Sequence, residues 1–219
     1  MWRVGVDVGG TFTDLFAWDE ATGQRVTAKV LTTRPDRSQG VIDAVAAAGI
    51  AFDDIAQLVH GTTTATNALI ERSFPDAALV TTEGFRDVLE IGRMHREFLY
   101  RPYQTKPKPI IRRRHRYTVP ERMTAQGEAM RPFDEKAARA IAARVRDSGI
   151  RSIAVCFINA YANPAHEQQM RDILVETMPD ALVVCSGDIP VFREHGRFTT
   201  TAIRAALMPV MQAYFESLE

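Results

Sequence analysis

The chain has 219 residues, 46% of them hydrophobic and 25% charged, enough to bury a proper core in one large domain or two small ones. Its formal net charge is zero, so no overall field draws it to nucleic acid or to an acidic membrane surface. No apolar run reaches the roughly 18 residues that a membrane span needs, and the N-terminus has no basic segment followed by an apolar core; the expectation is a cytoplasmic protein.

Residues 2–8 and 13–18 read as strands around a Gly9-Gly10 turn, and 24–31 as a third strand after Ala21-Thr22-Gly23, which makes an antiparallel meander. Pro35-Asp36 opens a predicted helix whose apolar positions include Val41, Ile42 and Val45, closed by Gly49. A short strand over 55–60 runs into Gly61-Thr62-Thr63-Thr64 and a helix through Leu69. A strand over 77–81 and a short helix over 84–91 follow, and the order predicts one mixed sheet with helices packed on it. The texture changes over 92–133. Arg101 to Arg116 holds seven Lys/Arg and three prolines, and no acidic residue lies between Glu97 and Glu121, so the segment reads as an irregular excursion or a small inserted strand pair. Its basic cluster has no matching helix face, which favours a solvated loop or subunit contact over nucleic acid.

Regular alternation then returns. Asp134 starts a helix with Ala138, Ile141 and Val145 on one face, 153–158 is a buried strand, and Asn163-Pro164 starts a helix lined by Met170, Ile173 and Leu174. A strand over 181–185 and a helix over 196–218 complete the chain, with Pro209 expected to kink or break that helix. The two cysteines, Cys156 and Cys185, lie in apolar stretches and read as buried thiols.

Two stretches carry chemistry. In Asp7-Val8-Gly9-Gly10-Thr11-Phe12-Thr13-Asp14, glycines allow a ligand close to the backbone, and Thr11 and Thr13 add hydroxyl donors. Carboxylates beside an anion-binding turn make sense when Asp7 and Asp14 serve a Mg²⁺ ion that travels with a phosphate. A Gly-Gly hairpin capped by aspartates is the competing reading. In His60-Gly61-Thr62-Thr63-Thr64-Ala65-Thr66-Asn67, a strand hands over to a helix N-terminus, a ready anion site, where a plain N-cap would account for one threonine only. His60 is either a core histidine or an acid/base group. Arg93 and Arg96 are spaced as a carboxylate clamp or as surface ion-pair partners of Glu90 and Glu97.

VGVDVGGTFTD, HGTTTATNALIER, ALVTTEGFRDVLEIGR, AVCFINAYANPAHE and FREHGRFTTT together resemble, in order and spacing, the N-terminal part of the hydantoinase A/5-oxoprolinase family, which includes N-methylhydantoinases, 5-oxoprolinases and subunits of acetone and acetophenone carboxylases. The resemblance implies an α/β, actin-like ATPase lobe of ribonuclease H type over 1–219, a mixed sheet with an N-terminal β-meander flanked by helices and an irregular insertion at about 92–133. Carried over by position, Asp7 (also a metal ligand), Asp14 and His60 are catalytic. Gly9, Gly10, Thr11, Thr13, Gly61, Thr62, Thr63 and Asn67 bind the cofactors ATP and Mg²⁺, and Arg93 and Arg96 meet substrate. The implied reaction is ATP-dependent opening of a hydantoin or 5-oxoproline ring through phosphorylation of its amide oxygen, with a ketone-activating carboxylase, a small-molecule kinase or a vestigial assembly domain as alternatives. A large hydantoinase B-type subunit and an oligomer are the implied partners. Family members continue for several hundred residues, so the second phosphate motif and adenosine pocket are expected outside this chain, which alone is expected to be inactive. Arg204-Ala205-Ala206 departs from the more usual Asn-Ala-Tyr.

Overall fold

The computed structural model describes residues 1–33, 38–94, 98, 100, 101, 103 and 106–217. The start of the predicted helix at Pro35-Asp36 and the predicted site residue Arg96 lie outside the described residues. The chain divides into two compact units, 1–74 with 210–219, and 75–209.

The first unit contains Trp2–Val8 (β1), Phe12–Asp19 (β2), Arg25–Leu31 (β3), Ser38–Ala47 (α1), Ile55–Thr62 (β4) and Thr64–Glu71 (α2). Its four-stranded sheet has the order β3-β2-β1-β4. The meander is antiparallel, and β4 adds in parallel beside β1. Burial in β1 and β2 alternates residue by residue, because one face packs on α1 and the other stays open. Val4, Val6, Val8, Leu15 and Ala17 meet Val41, Ala44 and Val45 in that core. The predicted meander and the mixed sheet are therefore present.

The second unit contains Ala78–Thr82 (β5), Val88–Ile91 (α3), Arg116–Val119 (β6), Arg122–Met123 (β7), Ala129–Arg131 (β8), Glu135–Asp147 (α4), Ser152–Cys156 (β9), Ala165–Thr177 (α5) and Leu182–Cys185 (β10). Here the sequence reading needs correction: β5 does not extend the first sheet. It is central in a separate sheet, β10-β9-β5-β6, whose pairings are all parallel. Every residue of β5 and β9 is buried, as expected for parallel strands covered on both faces. Residues 92–133 are less irregular than their composition suggests, since they supply β6 and the β7-β8 pair. Asp134 caps α4 as predicted, its carboxylate accepting from the Ala137 amide at 2.9 Å. Both cysteines are buried and free, and burial pushes the Cys185 thiol up to about 12.

The final helix, Glu194–Glu216 (α6), runs through Pro209 without a break. Proline removes the amide that would bond the carbonyl four residues back, that of Ala205. The structure supplies another donor: the buried Ser152 hydroxyl donates to the Ala205 carbonyl. Among the described residues no helix is long and apolar enough to cross a membrane.

Candidate functional site

The β1-β2 turn is built around close backbone contacts. The Gly9 amide donates to the Phe12 carbonyl at 3.0 Å, and a Cβ on Gly9 would lie 2.9 Å from that same oxygen. Thr32, just past β3, braces the turn: its amide donates to the Thr11 carbonyl at 2.9 Å and its hydroxyl to the Gly9 carbonyl at 3.1 Å. The Thr13 hydroxyl lies 3.0 Å from that of Thr32 and is fully buried, so it supports the turn from inside. Of the two threonines expected to face a ligand, only Thr11 is exposed.

Parallel pairing brings the second motif to the first. Asp7 registers with Gly61 and Val8 with Thr62, and the Thr63 amide donates to the Val8 carbonyl at 3.4 Å. The Thr62 hydroxyl accepts from the Thr64 amide at 3.1 Å, bracing the entry to α2, whose N-cap residue Thr63 makes no side-chain cap. Asn67 Nδ2 donates to the Thr63 hydroxyl at 3.1 Å, and a Cβ on Gly10 would come within 3.2 Å of that same nitrogen. Gly10, Thr63 and Asn67 thus meet at the positive end of α2, with Thr11 next in the turn, where an anion is favoured by the helix dipole.

Asp7 and Asp14 face each other across β1 and β2, both exposed on the open side of the sheet. Lys29 reaches Asp14 at 2.9 Å. A cavity of about 790 Å³ on this side is lined by Asp7, Asp14, Phe16, Lys29, Val59 and Gly61. Mg²⁺ is commonly held by one or two carboxylates, with waters and phosphate oxygens completing its shell. An exposed carboxylate pair beside an anion-favouring turn is a donor set that fits it.

His60 does not join this group. It registers with the buried Val6, so alternation turns its side chain to the opposite face from Asp7. There Nε2 hydrogen-bonds the Tyr214 hydroxyl and Nδ1 is buried without a partner among the described residues. Burial lowers the His60 pKa, with Asp7 pulling weakly the other way. His60, expected either as a catalytic group or as a core histidine, thus takes the face of β4 away from the carboxylates. Arg93 is exposed and belongs to the second unit. The basic run reads as solvated but is largely paired internally: Arg113 grips Asp87 through two bonds of 2.9 and 3.0 Å, Arg112 and Arg114 reach Asp76, and Arg116 is buried against Glu90 at 3.0 Å. The Arg113 guanidinium holds the Asp87 carboxyl below the usual carboxylate range.

Residues 3–178 match the hydantoinase/oxoprolinase N-terminal region. The chain belongs to the hydantoinase/oxoprolinase family. An uncharacterized protein of Methanocaldococcus jannaschii is 39% identical over 99% of this chain and 32% of its own length. Caprolactamase subunit alpha of Pseudomonas jessenii is 32% identical over 100% of this chain and 33% of its own length. The crystal structure of the ATP-dependent caprolactamase superposes with a TM-score of 0.81 at 31% identity, over 98% of this chain and 32% of that one. The nucleotide-free acetone carboxylase structure, solved for the mechanism of ATP-dependent acetone carboxylation, gives a TM-score of 0.81 at 26% identity, over 100% of this chain and 35% of that one. The chain therefore spans about a third of the length of these relatives. The α/β fold expected for this family region is the one found.

Two residues escaped the motif reading: Thr32, which braces the candidate turn, and Tyr214, which holds His60 on the other face. Thr32 was hidden because its role depends on β2-β3 register, which pairs Phe12 with Leu31 and so sets Thr32 against the turn. Tyr214 is distant in sequence from His60, and no local pattern marks it.

Proposed function

We propose that this chain supplies the first phosphate- and Mg²⁺-binding lobe of an ATP-dependent enzyme that opens a cyclic amide. The observation that carries this reading is the convergence of the Gly9-Gly10 turn with the N-terminal turn of α2, where Gly10 lies against Asn67. Thr11, Thr63 and the α2 N-terminus orient the phosphates and lower the cost of their negative charge. Asp7 and Asp14 would hold Mg²⁺, which when bound neutralises charge on the transferred phosphoryl group. Lys29 keeps the Asp14 carboxylate in place through its ion pair. Phosphorylating the amide oxygen converts a poor electrophile into an imidate-like ester that water attacks readily. Caprolactamase subunit alpha, similar over the whole of this chain, supports a cyclic amide as substrate. The same TM-score to acetone carboxylase keeps a second reading, in which the activated group is a ketone or bicarbonate. Arg93 and Arg96 remain proposed substrate contacts, and the working enzyme is proposed to include a large B-type subunit in an oligomer.

The test uses the complete protein together with its partner subunit. Cyclic amides should stimulate ADP release; ADP formed only with ketone and bicarbonate selects the carboxylase, and ADP formed only with a sugar or polyol selects a kinase. Asp7→Ala should abolish turnover in every case, and unchanged turnover would overturn the metal assignment.

A further inference from the structure

The second unit holds a cavity of about 630 Å³ that the phosphate reading does not use. It lies past the carboxyl end of β5 and is lined by Phe85, Arg86, Asp87, Gly92, Arg113 and Thr118, among others. The carboxyl ends of parallel strands are where open α/β sheets bind ligands.

The charges around it are unevenly satisfied. Asp87 is held by both donors of Arg113, at 2.9 and 3.0 Å, and faces Arg116 Nη1 at 3.5 Å. Glu90 is paired with Arg116 at 3.0 Å. Glu83, following β5, is taken by Arg131 at 2.6 Å. Arg86 is different. Its Nη2 donates to the Arg113 carbonyl at 3.0 Å, and among the described residues its buried Nε has no partner and no carboxylate pairs with it. Arg122 stacks over the Phe85 ring at 4.7 Å and also keeps a buried nitrogen, Nη1, without a partner among the described residues. A buried guanidinium donor left unmatched costs its full desolvation, and the planar fork matches a two-oxygen anion. Of the charged residues that line the cavity, Arg86 and Arg113 outnumber Asp87, so the wall keeps a positive excess.

We propose that this cavity is a carboxylate-binding site, with Arg86 as the anchor that takes the two oxygens of a small carboxylate-bearing ligand. It stands on the second unit alone and is separate from the phosphate cluster at Gly10 and Thr11. Because the anchor is a guanidinium, the site selects a planar anion over a neutral amide of the same shape.

Acetate, acetamide and inorganic phosphate are the probes, titrated separately into the isotope-labelled chain and followed by amide chemical shifts. Acetate should move Gly84, Phe85 and Gly92 along saturable curves, with a dissociation constant on the order of 1–10 mM, and acetamide should leave them in place. Arg86→Lys should weaken acetate at least tenfold and Arg86→Met should abolish the response, while the remaining spectrum shows that each variant is folded. Phosphate shifts centred on Gly9–Thr11, with little change at Gly84–Gly92, support the separation of the two sites. The proposal is overturned if acetate produces no saturable shift at Gly84–Gly92, if acetamide matches it, or if Arg86→Lys binds as tightly as the parent. A failure here leaves the phosphate reading standing, and a failure of ADP release leaves this site standing.

Discussion

Ser152→Ala is a one-atom change whose cost depends on a proline 57 positions away in the chain, the difference between 209 and 152. Ser152 is 2% exposed and Ala205 fully buried, so removing the hydroxyl strands a carbonyl that water cannot reach. A buried acceptor left unmatched costs about 1–3 kcal/mol, so the unfolding free energy of the second unit should fall by about 2 kcal/mol. Pro209→Ala restores an amide that can bond the Ala205 carbonyl within the helix, and removes a helix-interior proline worth up to ~3 kcal/mol. In that background Ser152→Ala should cost under ~1 kcal/mol, giving a coupling of more than ~1 kcal/mol between the two sites. Native-state hydrogen exchange at the β9 amides reads the second unit directly, where ~1.4 kcal/mol is a tenfold faster rate. Equal costs for Ser152→Ala in both backgrounds, within ~0.5 kcal/mol, would refute the compensation.

Gly9→Ala forces a Cβ to within 2.9 Å of a backbone oxygen that cannot swing aside, and should lower stability by about 1–3 kcal/mol; an unchanged urea midpoint would contradict the turn's geometry. Burial holds His60 below its ordinary 6.5, so its contribution is present in full above that value and is lost as pH falls through the lowered folded value. His60→Asn should flatten the acid limb of the urea midpoint against pH, and an identical limb would remove His60 as its source. Glu167 goes the opposite way: burial raises it from 4.5 to about 7, so its contribution is full below 4.5 and fades as pH rises to about 7. That amounts to on the order of 3 kcal/mol. Glu167→Gln should remove this slope from the hydrogen exchange of β9, and a persistent slope would assign it to another group.

Much of the site was legible because its two motifs are local. DVGGTFTD announces a hairpin with carboxylates and hydroxyls, and GTTTATN announces a helix start rich in donors. What sequence withheld is pairing across distance. A five-residue run such as Ala78–Thr82 shows a buried strand but not its neighbours, and parallel partners such as Ser152–Cys156 lie too far along the chain to be matched by pattern. The facing of Thr13 and His60 was hidden for the same reason. Their side chains point by alternation, and the direction follows only once Val8 and Val6 are known to face α1. Arg116 sits in a run that looks solvated, yet Asp87 and Glu90 draw it inward, and only the fold reveals that partnership.

The facing of Asp7 and Asp14 has a consequence for folding as well as for phosphate chemistry. A slip of one residue in β1-β2 pairing exchanges the two faces of a strand. It would drive carboxylates against Val41 and Val45 and leave Val6 or Leu15 in water. The acid pair therefore acts as a spelling check on the hairpin: a misaligned pairing can pack against α1 only at the cost of buried charge. Neutralising both aspartates would disarm that check, and a variant made to study the metal site could accumulate out-of-register chains even where its native state is no less stable.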